Sequence, residues 1–359
     1  MRRALAEARK GLGRTAPNPC VGAVIVKDGR IISTGYHRRA GTPHAEIHAL
    51  RAAGPAARGA TMYVTLEPCN HYGRTPPCSQ AVADAGIAEV VIGMLDPNPL
   101  VDGSGVQYLR NRGIAVVTGV LEEQCRELNR PFLKHVSTSL PWVVMKAGLS
   151  LDGRITFRAG SCGSVTGPES LRHVHRLRDR YDAILVGIGT VEIDNPSLTT
   201  RLAGRRGRDP VRIILDTTLR IDEQARVVRQ QSAAPTMIFC SKEADPEKRE
   251  RLSSLPGVVI VEAACGDDGR LDLTDVLRLL GAEGITSVLV EGGAVVHGAF
   301  LTARLVDRVN LFYAPIFIGA GGISVVEQYQ SMPDRGRAIR LTNTSIKRFG
   351  EDLLVAGDV

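Results

Sequence analysis

Apolar and polar positions alternate along the first part of the chain in the rhythm of short strands and amphipathic helices. Residues 2–12 carry apolar positions at helical spacing, and the run 21–26, closed by Gly29, reads as a strand. After His44 an alanine-rich stretch to Ala57 predicts a helix, followed by a strand over 60–66. A loop rich in Pro, Gly and Asn extends to Pro77. Beyond it the pattern predicts a helix over 79–85, a strand over 89–93, a helix over 107–112 and a strand over 114–117. A last helix spans 121–135, and 137–141 reads as a linker. This is α/β alternation.

The pattern then restarts. Short apolar runs at 142–145, 183–186, 211–215, 236–239, 258–261 and 287–290 read as strands buried on both faces, as in a mostly parallel sheet covered by helices. Segments 307–318 and 353–355 are candidates for closing strands. At 359 residues the chain exceeds the roughly 250–300 at which one core stops growing. Two domains are expected, 1–137 and 141–359.

Composition narrows the class. Hydrophobic residues make up 43% and charged residues 23%, ordinary for a globular protein and unlike a disordered or fibrous one. No apolar run is long enough for a transmembrane helix. Charges at Arg2, Arg3 and Glu7, with no apolar segment behind them, give no secretory signal, so a cytoplasmic location is expected. The net charge is +7, but the basic residues are scattered and only seven of the 45 are lysine. A phosphorylated small molecule or a dinucleotide accounts for that excess, and no nucleic-acid partner is expected. Seven cysteines, an odd number spread along the chain, argue against a disulfide framework.

Only Cys69 and Cys78 sit close together in polar company, and they follow His44-Ala45-Glu46. One imidazole and two thiolates suit Zn²⁺ with a fourth position left for water, the catalytic kind of zinc site. Glu46, two residues after the histidine, is placed to carry a proton from that water to a ring nitrogen and to a leaving amine. His-x-Glu followed by Pro-Cys and a second Cys is the signature of zinc-dependent nucleobase deaminases. Here eight residues separate the cysteines instead of two. The loop must fold back, and it would bring His71, Arg74 and Thr75 beside the reacting ring. His48, one turn after His44, reads as a helix-face residue.

Thr15 to Gly22 around Asn18, Gly35-Tyr36-His37, Pro43 to Glu46 and Thr65 to Cys78 together resemble the bifunctional riboflavin-biosynthesis deaminase/reductases. The resemblance implies a cytidine-deaminase-like first domain. Asn18, His37 and His71 would contact a pyrimidine or its ribosyl phosphate. The implied substrate is 2,5-diamino-6-ribosylamino-4-pyrimidinone 5′-phosphate, losing its 2-amino group. A deaminase of tRNA or free bases would instead call for a shorter chain, the Cys-x-x-Cys spacing and a basic strand channel.

No Gly-x-Gly-x-x-Gly follows a strand in the second half, which argues against a Rossmann domain. Its marks are Lys146 to Arg154, Gly189 to Arg201 and Glu291-Gly292-Gly293. They resemble the same family's reductase, whose domain is dihydrofolate-reductase-like and uses NADPH. Glu291-Gly292-Gly293 ends a strand and opens a helix, so free N–H groups could hold a pyrophosphate. Arg178 and Arg201 are candidates for the substrate phosphate. The resemblance adds Cys162, Leu198 and Glu291 on the substrate, and Gly148, Ser164, Thr190, Asp194, Thr217 and Gly293 on the cofactor. It also implies a homodimer through the second domain. Hydride would go to C1′ of the sugar, with Lys146 and Glu291 polarising or orienting it.

One departure stands out. Relatives usually carry Ser-x-Trp where this chain has Cys162-Gly163-Ser164. Losing half of a tryptophan's contact is worth about 2–3 kcal/mol, or roughly 30- to 200-fold in affinity. The departure predicts weakened NADPH reduction. It leaves open a deaminase-only paralogue with a degenerate second half.

Overall fold

The computed structural model describes residues 1–71, 76–98, 103–204, 207–329 and 332–359. Arg74 and Thr75 therefore lie outside the described residues. The chain divides into two compact units, Met1–Ser139 and Leu140–Val359.

The first unit runs α1 (Arg2–Ala8), β1 (Gly22–Lys27), β2 (Arg30–Tyr36), α2 (Ala45–Ala53), β3 (Thr61–Leu66), α3 (Cys78–Asp84), β4 (Glu89–Met94), α4 (Ser104–Asn111), β5 (Ala115–Val117), α5 (Glu122–Leu128) and α6 (Arg130–Thr138). Among the described residues its sheet has the order β2-β1-β3-β4-β5. The first three strands are antiparallel neighbours, while β3, β4 and β5 run parallel. Strand β2 is an addition to the expected pattern. Asp28 and Gly29 both take positive φ, and Lys27 pairs with Arg30 across a two-residue turn. Asp-Gly is a favoured sequence for such a hairpin.

The expected helix 121–135 is two helices. The break falls at Asn129, whose side chain is occupied by the Cys20 backbone, and Pro131 opens the second helix. Proline is tolerated in a first turn but not inside a helix. Because α6 continues to Thr138, the connection is shorter than the expected 137–141 linker.

The second unit runs β6 (Trp142–Leu149), α7 (Pro168–Arg180), β7 (Ala183–Gly187), α8 (Ile188–Asp194), β8 (Val211–Leu215), α9 (Arg226–Arg229), β9 (Thr236–Cys240), α10 (Pro246–Ser253), β10 (Val258–Glu262), α11 (Leu273–Ala282), β11 (Ser287–Gly292), α12 (Ala294–Thr302), β12 (Arg308–Tyr313), β13 (Thr342–Phe349) and β14 (Asp352–Asp358). Its sheet has the order β10-β9-β8-β7-β11-β6-β12-β14-β13. Strands β10 through β12 in that order are parallel, and β14 is antiparallel to both neighbours. Strands β7 and β9 are buried along their whole length, as expected when helices cover both faces.

Strand order reverses in the middle of this sheet. The chain leaves β6, skips one place to β7, builds outward to β10, and returns to insert β11 in the gap. In open α/β sheets, ligands settle outside the carboxyl ends of the strands at such a reversal. Around this reversal lie Glu291 at the carboxyl end of β11, Lys146 beside it within β6, and Thr190 in α8 just after β7.

Candidate active sites

In the first unit the side chains converge from three elements. His44 is the N-cap of α2, Cys69 follows β3, and Cys78 is the first residue of α3. Helix α2 lies directly on β2 because Gly35 has no side chain. A Cβ there would meet the Ala45 carbonyl oxygen at 2.2 Å. Contacts between the described residues flanking the loop bring the two cysteines together. The Ser79 hydroxyl donates to Asn70 Oδ1 at 2.7 Å, and the Ser79 N–H donates to the Cys69 carbonyl at 3.1 Å.

His44 Nδ1 lies 3.2 Å from Cys78 Sγ and 3.6 Å from Cys69 Sγ, and all three donor atoms are within 4.8 Å of one another. Bond lengths of about 2.0–2.3 Å and tetrahedral angles put nitrogen and sulfur ligands of zinc about 3.6 Å apart. The donor set fits zinc in chemistry and in spacing. The thiols are unequal. Cys69 is held far below the ordinary thiol range by the Cys78 S–H and by His44, which outweigh its burial. Cys78 is pushed up by Cys69 and by burial. His44 is raised, chiefly by its hydrogen bond with Cys69.

Glu46 is 3% exposed, and its Oε2 has no hydrogen-bond partner. Burial pushes its carboxyl up to about 7. Glu46, His44 and Cys69 line a cleft of about 430 Å³ together with Asn18, His37 and His71. The same cleft is lined by Asp96, Asn98 and Phe132, which the sequence did not single out. Asp96 and Asn98 sit just past β4, with the Asn98 N–H donating to Asp96 Oδ1 at 3.0 Å. Polar residues in a turn after a buried strand are the signal that could have found them.

In the second unit Glu291 lies between two cations. Arg178 grips it through Nε at 2.8 Å and Nη2 at 2.9 Å, and Lys146 Nζ is 3.5 Å away. Burial alone would raise the Glu291 carboxyl, but Arg178 and Lys146 hold it down at about 2. Arg178, expected on the substrate phosphate, faces Glu291 in this arrangement. Its fork is filled by Glu291, and its Nη1 donates to the Thr199 carbonyl at 3.2 Å. Arg201 is exposed nearby, its N–H donating to His175 Nδ1 at 3.2 Å.

Gly292 has φ +120, and a Cβ on it would meet the His297 ring at 3.3 Å. Thr190 Oγ1 lies 3.4 Å from the place a Cβ on Gly293 would take, so those two expected cofactor residues are neighbours. Gly148 abuts the Thr166 side chain, and the Ser164 hydroxyl donates to the Thr166 carbonyl at 2.9 Å. Leu198 is 3% exposed with its side chain in the core, so only its backbone could face a substrate. Cys162 and Asp194 are exposed, and Thr217 sits half-buried in the turn after β8. The free N–H groups opening α12 and the glycines before it suit a pyrophosphate.

Comparison with known proteins covers both units. Residues 1–94 match the cytidine and deoxycytidylate deaminase zinc-binding region, and residues 141–355 match the RibD C-terminal domain. The riboflavin biosynthesis protein RibD of Bacillus amyloliquefaciens is 44% identical over 356 residues, 98% of this chain and 94% of that protein. Acinetobacter baumannii RibD superposes with a TM-score of 0.89 at 36% identity, covering 100% of this chain and 97% of its own. A Thermotoga maritima diaminohydroxyphosphoribosylaminopyrimidine deaminase/5-amino-6-(5-phosphoribosylamino)uracil reductase gives 0.88 at 40%, covering 100% and 97%. These likenesses run through the reductase half, so they favour two activities over a deaminase with a degenerate second domain. The fold is a cytidine-deaminase-like domain followed by a dihydrofolate-reductase-like one, and the cofactors are zinc and NADPH. The chain belongs to the RibD family, the bifunctional deaminase/reductases of riboflavin biosynthesis.

Proposed function

We propose that the first unit removes the 2-amino group of 2,5-diamino-6-ribosylamino-4-pyrimidinone 5′-phosphate as ammonia, and that the second reduces the ribosyl group of the product to ribityl. The observation carrying the first step is the His44, Cys69 and Cys78 cluster with the buried Glu46, one oxygen of which has no partner, beside it in the cleft. His44, Cys69 and Cys78 would hold a zinc ion, which would supply an activated water at neutral pH. Glu46 would take the first proton of the attacking water and pass it to the ring nitrogen, then take the second from the hydroxyl now on the ring carbon and pass it to the amine as the C–N bond breaks and ammonia leaves. Asn18, His71, Asp96 and Asn98 offer polar contacts to the ring and its ribosyl phosphate.

In the second unit Gly292, Gly293 and the start of α12 take the cofactor pyrophosphate, with Gly148, Ser164, Thr190, Asp194 and Thr217 around the rest. NADPH, when bound, would supply the hydride for C1′ as the C1′–O4′ bond opens, with O4′ taking a proton from water. Lys146 and Glu291 orient the sugar, Arg201 takes its phosphate, and Arg178 fixes Glu291. Cys162 and the Leu198 backbone complete the substrate side.

The partner is thus a phosphorylated pyrimidine and not a nucleic acid. The assembly is a homodimer through the second unit, and the location is cytoplasmic. No helix among the described residues is long and apolar enough to cross a membrane. Incubating the protein with the diaminopyrimidinone phosphate, and following ammonia release and NADPH oxidation separately, tests both steps. Ammonia followed by NADPH consumption is expected. Release of ammonia only from cytidine nucleotides or tRNA would overturn the substrate assignment.

A further inference from the structure

Asn18 and His37 both line the deaminase cleft, but their hydrogen bonds give them unequal parts. His37 is 2% exposed, with its ring edge-to-face against His44. Its Nδ1 lies 3.3 Å from the Pro43 carbonyl oxygen, which can only accept, so Nδ1 carries the proton. In a neutral imidazole the other nitrogen is then an acceptor. That nitrogen, Nε2, lies 3.2 Å from Asn18 Nδ2, and the amide NH₂ can only donate. Both ring nitrogens are occupied by the protein. Asn18 is left with its Oδ1 free of any protein partner among the described residues, on a side chain that shares the cleft with His44, Glu46 and Cys69.

We propose that His37 is a positioning residue that fixes the flip of the Asn18 amide, so that Asn18 presents an oxygen acceptor and selects a ring edge bearing an N–H donor. This deepens the deaminase reading above and rests on it. The two ends of an amide are nearly alike in size, so an unpinned asparagine can present either one. A pyrimidinone carries a lactam N–H beside the carbon that loses its amine. That carbon's other neighbour is the bare ring nitrogen that takes the proton from Glu46. A cytosine shares that bare nitrogen but has a C–H in place of the lactam N–H, so Asn18 Oδ1 would be left without a donor. A site that leaves a buried polar group unpaired against the wrong ring rejects it strongly. The pair therefore sets ring selectivity without His37 touching the substrate.

Two near-isosteric substitutions separate the roles of the two ring nitrogens. His37→Gln keeps an acceptor near the Nε2 position and loses the donor to Pro43. His37→Asn keeps the donor near the Nδ1 position and loses the acceptor. Ammonia release from the diaminopyrimidinone phosphate is measured for each, with zinc content from elemental analysis. For His37→Asn the expected result is a KM raised about tenfold, the worth of about one hydrogen bond, with kcat and zinc content little changed. His37→Gln is expected to raise KM by clearly less than His37→Asn does. In an Asn18→Ala background His37→Asn is expected to add nothing, because the two residues act as one unit.

A KM rise from His37→Gln but not from His37→Asn would overturn the proposal and place the role in the Pro43 contact. So would an undiminished effect of His37→Asn in the Asn18→Ala background, or a fall in kcat at constant KM. Should His37→Asn not fold, His37→Gln in both backgrounds decides, and equal KM rises in the two overturn the pairing. Wild-type ammonia release tests the deaminase reading, whereas the ratios between variants test the pairing.

Discussion

Asn129 clasps the Cys20 peptide from both sides. Its Oδ1 accepts from the Cys20 N–H at 2.7 Å, and its Nδ2 donates to the Cys20 carbonyl at 3.1 Å. The two residues are 109 apart in sequence, and Asn129 is 2% exposed. Removing the amide leaves a buried donor and a buried acceptor unpaired, at about 1–3 kcal/mol each. Asn129→Ala is expected to lower the stability of the first unit by about 2–6 kcal/mol, read as a shifted denaturation midpoint. Because Cys20 follows Asn18 by two residues, KM for ammonia release is expected to rise in the same variant.

Glutamine at position 46 keeps size and hydrogen bonding but cannot relay a proton. Glu46→Gln is expected to cut ammonia release by about 10²- to 10⁴-fold while zinc content stays unchanged. Cys69→Ser and Cys78→Ser are expected to lose the metal itself, read by elemental analysis of the purified protein. Near-normal deamination by zinc-loaded Glu46→Gln would remove Glu46 from its role.

Glu291 makes stability depend on pH. Its folded value, about 2, is depressed below the ordinary 4.5. Its contribution is therefore complete above 4.5 and is lost as pH falls towards 2. Glu291→Gln leaves Arg178 and Lys146 buried without a counter-charge, at about 3–5 kcal/mol near neutral pH. That gap between wild type and variant is expected to narrow by about 2 kcal/mol by pH 3. Urea titrations of both proteins at several pH values check this, and a gap independent of pH would contradict it.

At the cofactor end, a Cβ on Gly292 would need an unfavourable backbone conformation and would press on the His297 ring. Gly292→Ala is expected to weaken NADPH binding by about tenfold or more, with deamination unaffected. Ser164 is exposed, with its hydroxyl turned to the Thr166 carbonyl. Ser164→Trp is expected to tighten NADPH binding by about 30-fold. Fluorescence titration with NADPH checks both, and an unimproved affinity in Ser164→Trp would mean that another side chain already covers the cofactor.

Much of this was legible in the sequence because the decisive signals are local. The buried strands of both sheets read as apolar runs, and His44, Glu46, Cys69 and Cys78 declare themselves by type and spacing. What escaped depends on partners distant in sequence. Strand β13 is polar and largely exposed, held at the sheet edge by its pairing with β14 rather than by an apolar face. The helix break at Asn129 follows from a residue more than a hundred positions away. Arg178 carries a charge suited to phosphate, and only the fold shows Glu291 filling its fork. Asp96, Asn98 and Phe132 reach the cleft from elements that carry no recognisable motif.

The Glu46 carboxylate, enclosed and without a partner for one oxygen, also bears on how this protein could change under selection. A desolvated acid is a standing penalty on the folded state, tolerated because the reaction needs it. Replacement by an apolar residue of similar volume relieves that penalty while ending deamination. Selection for heat tolerance or soluble expression alone would therefore favour inactive clones at this position. A screen for hardier variants needs ammonia release as a counter-selection, or the strongest hits will be catalytically silent.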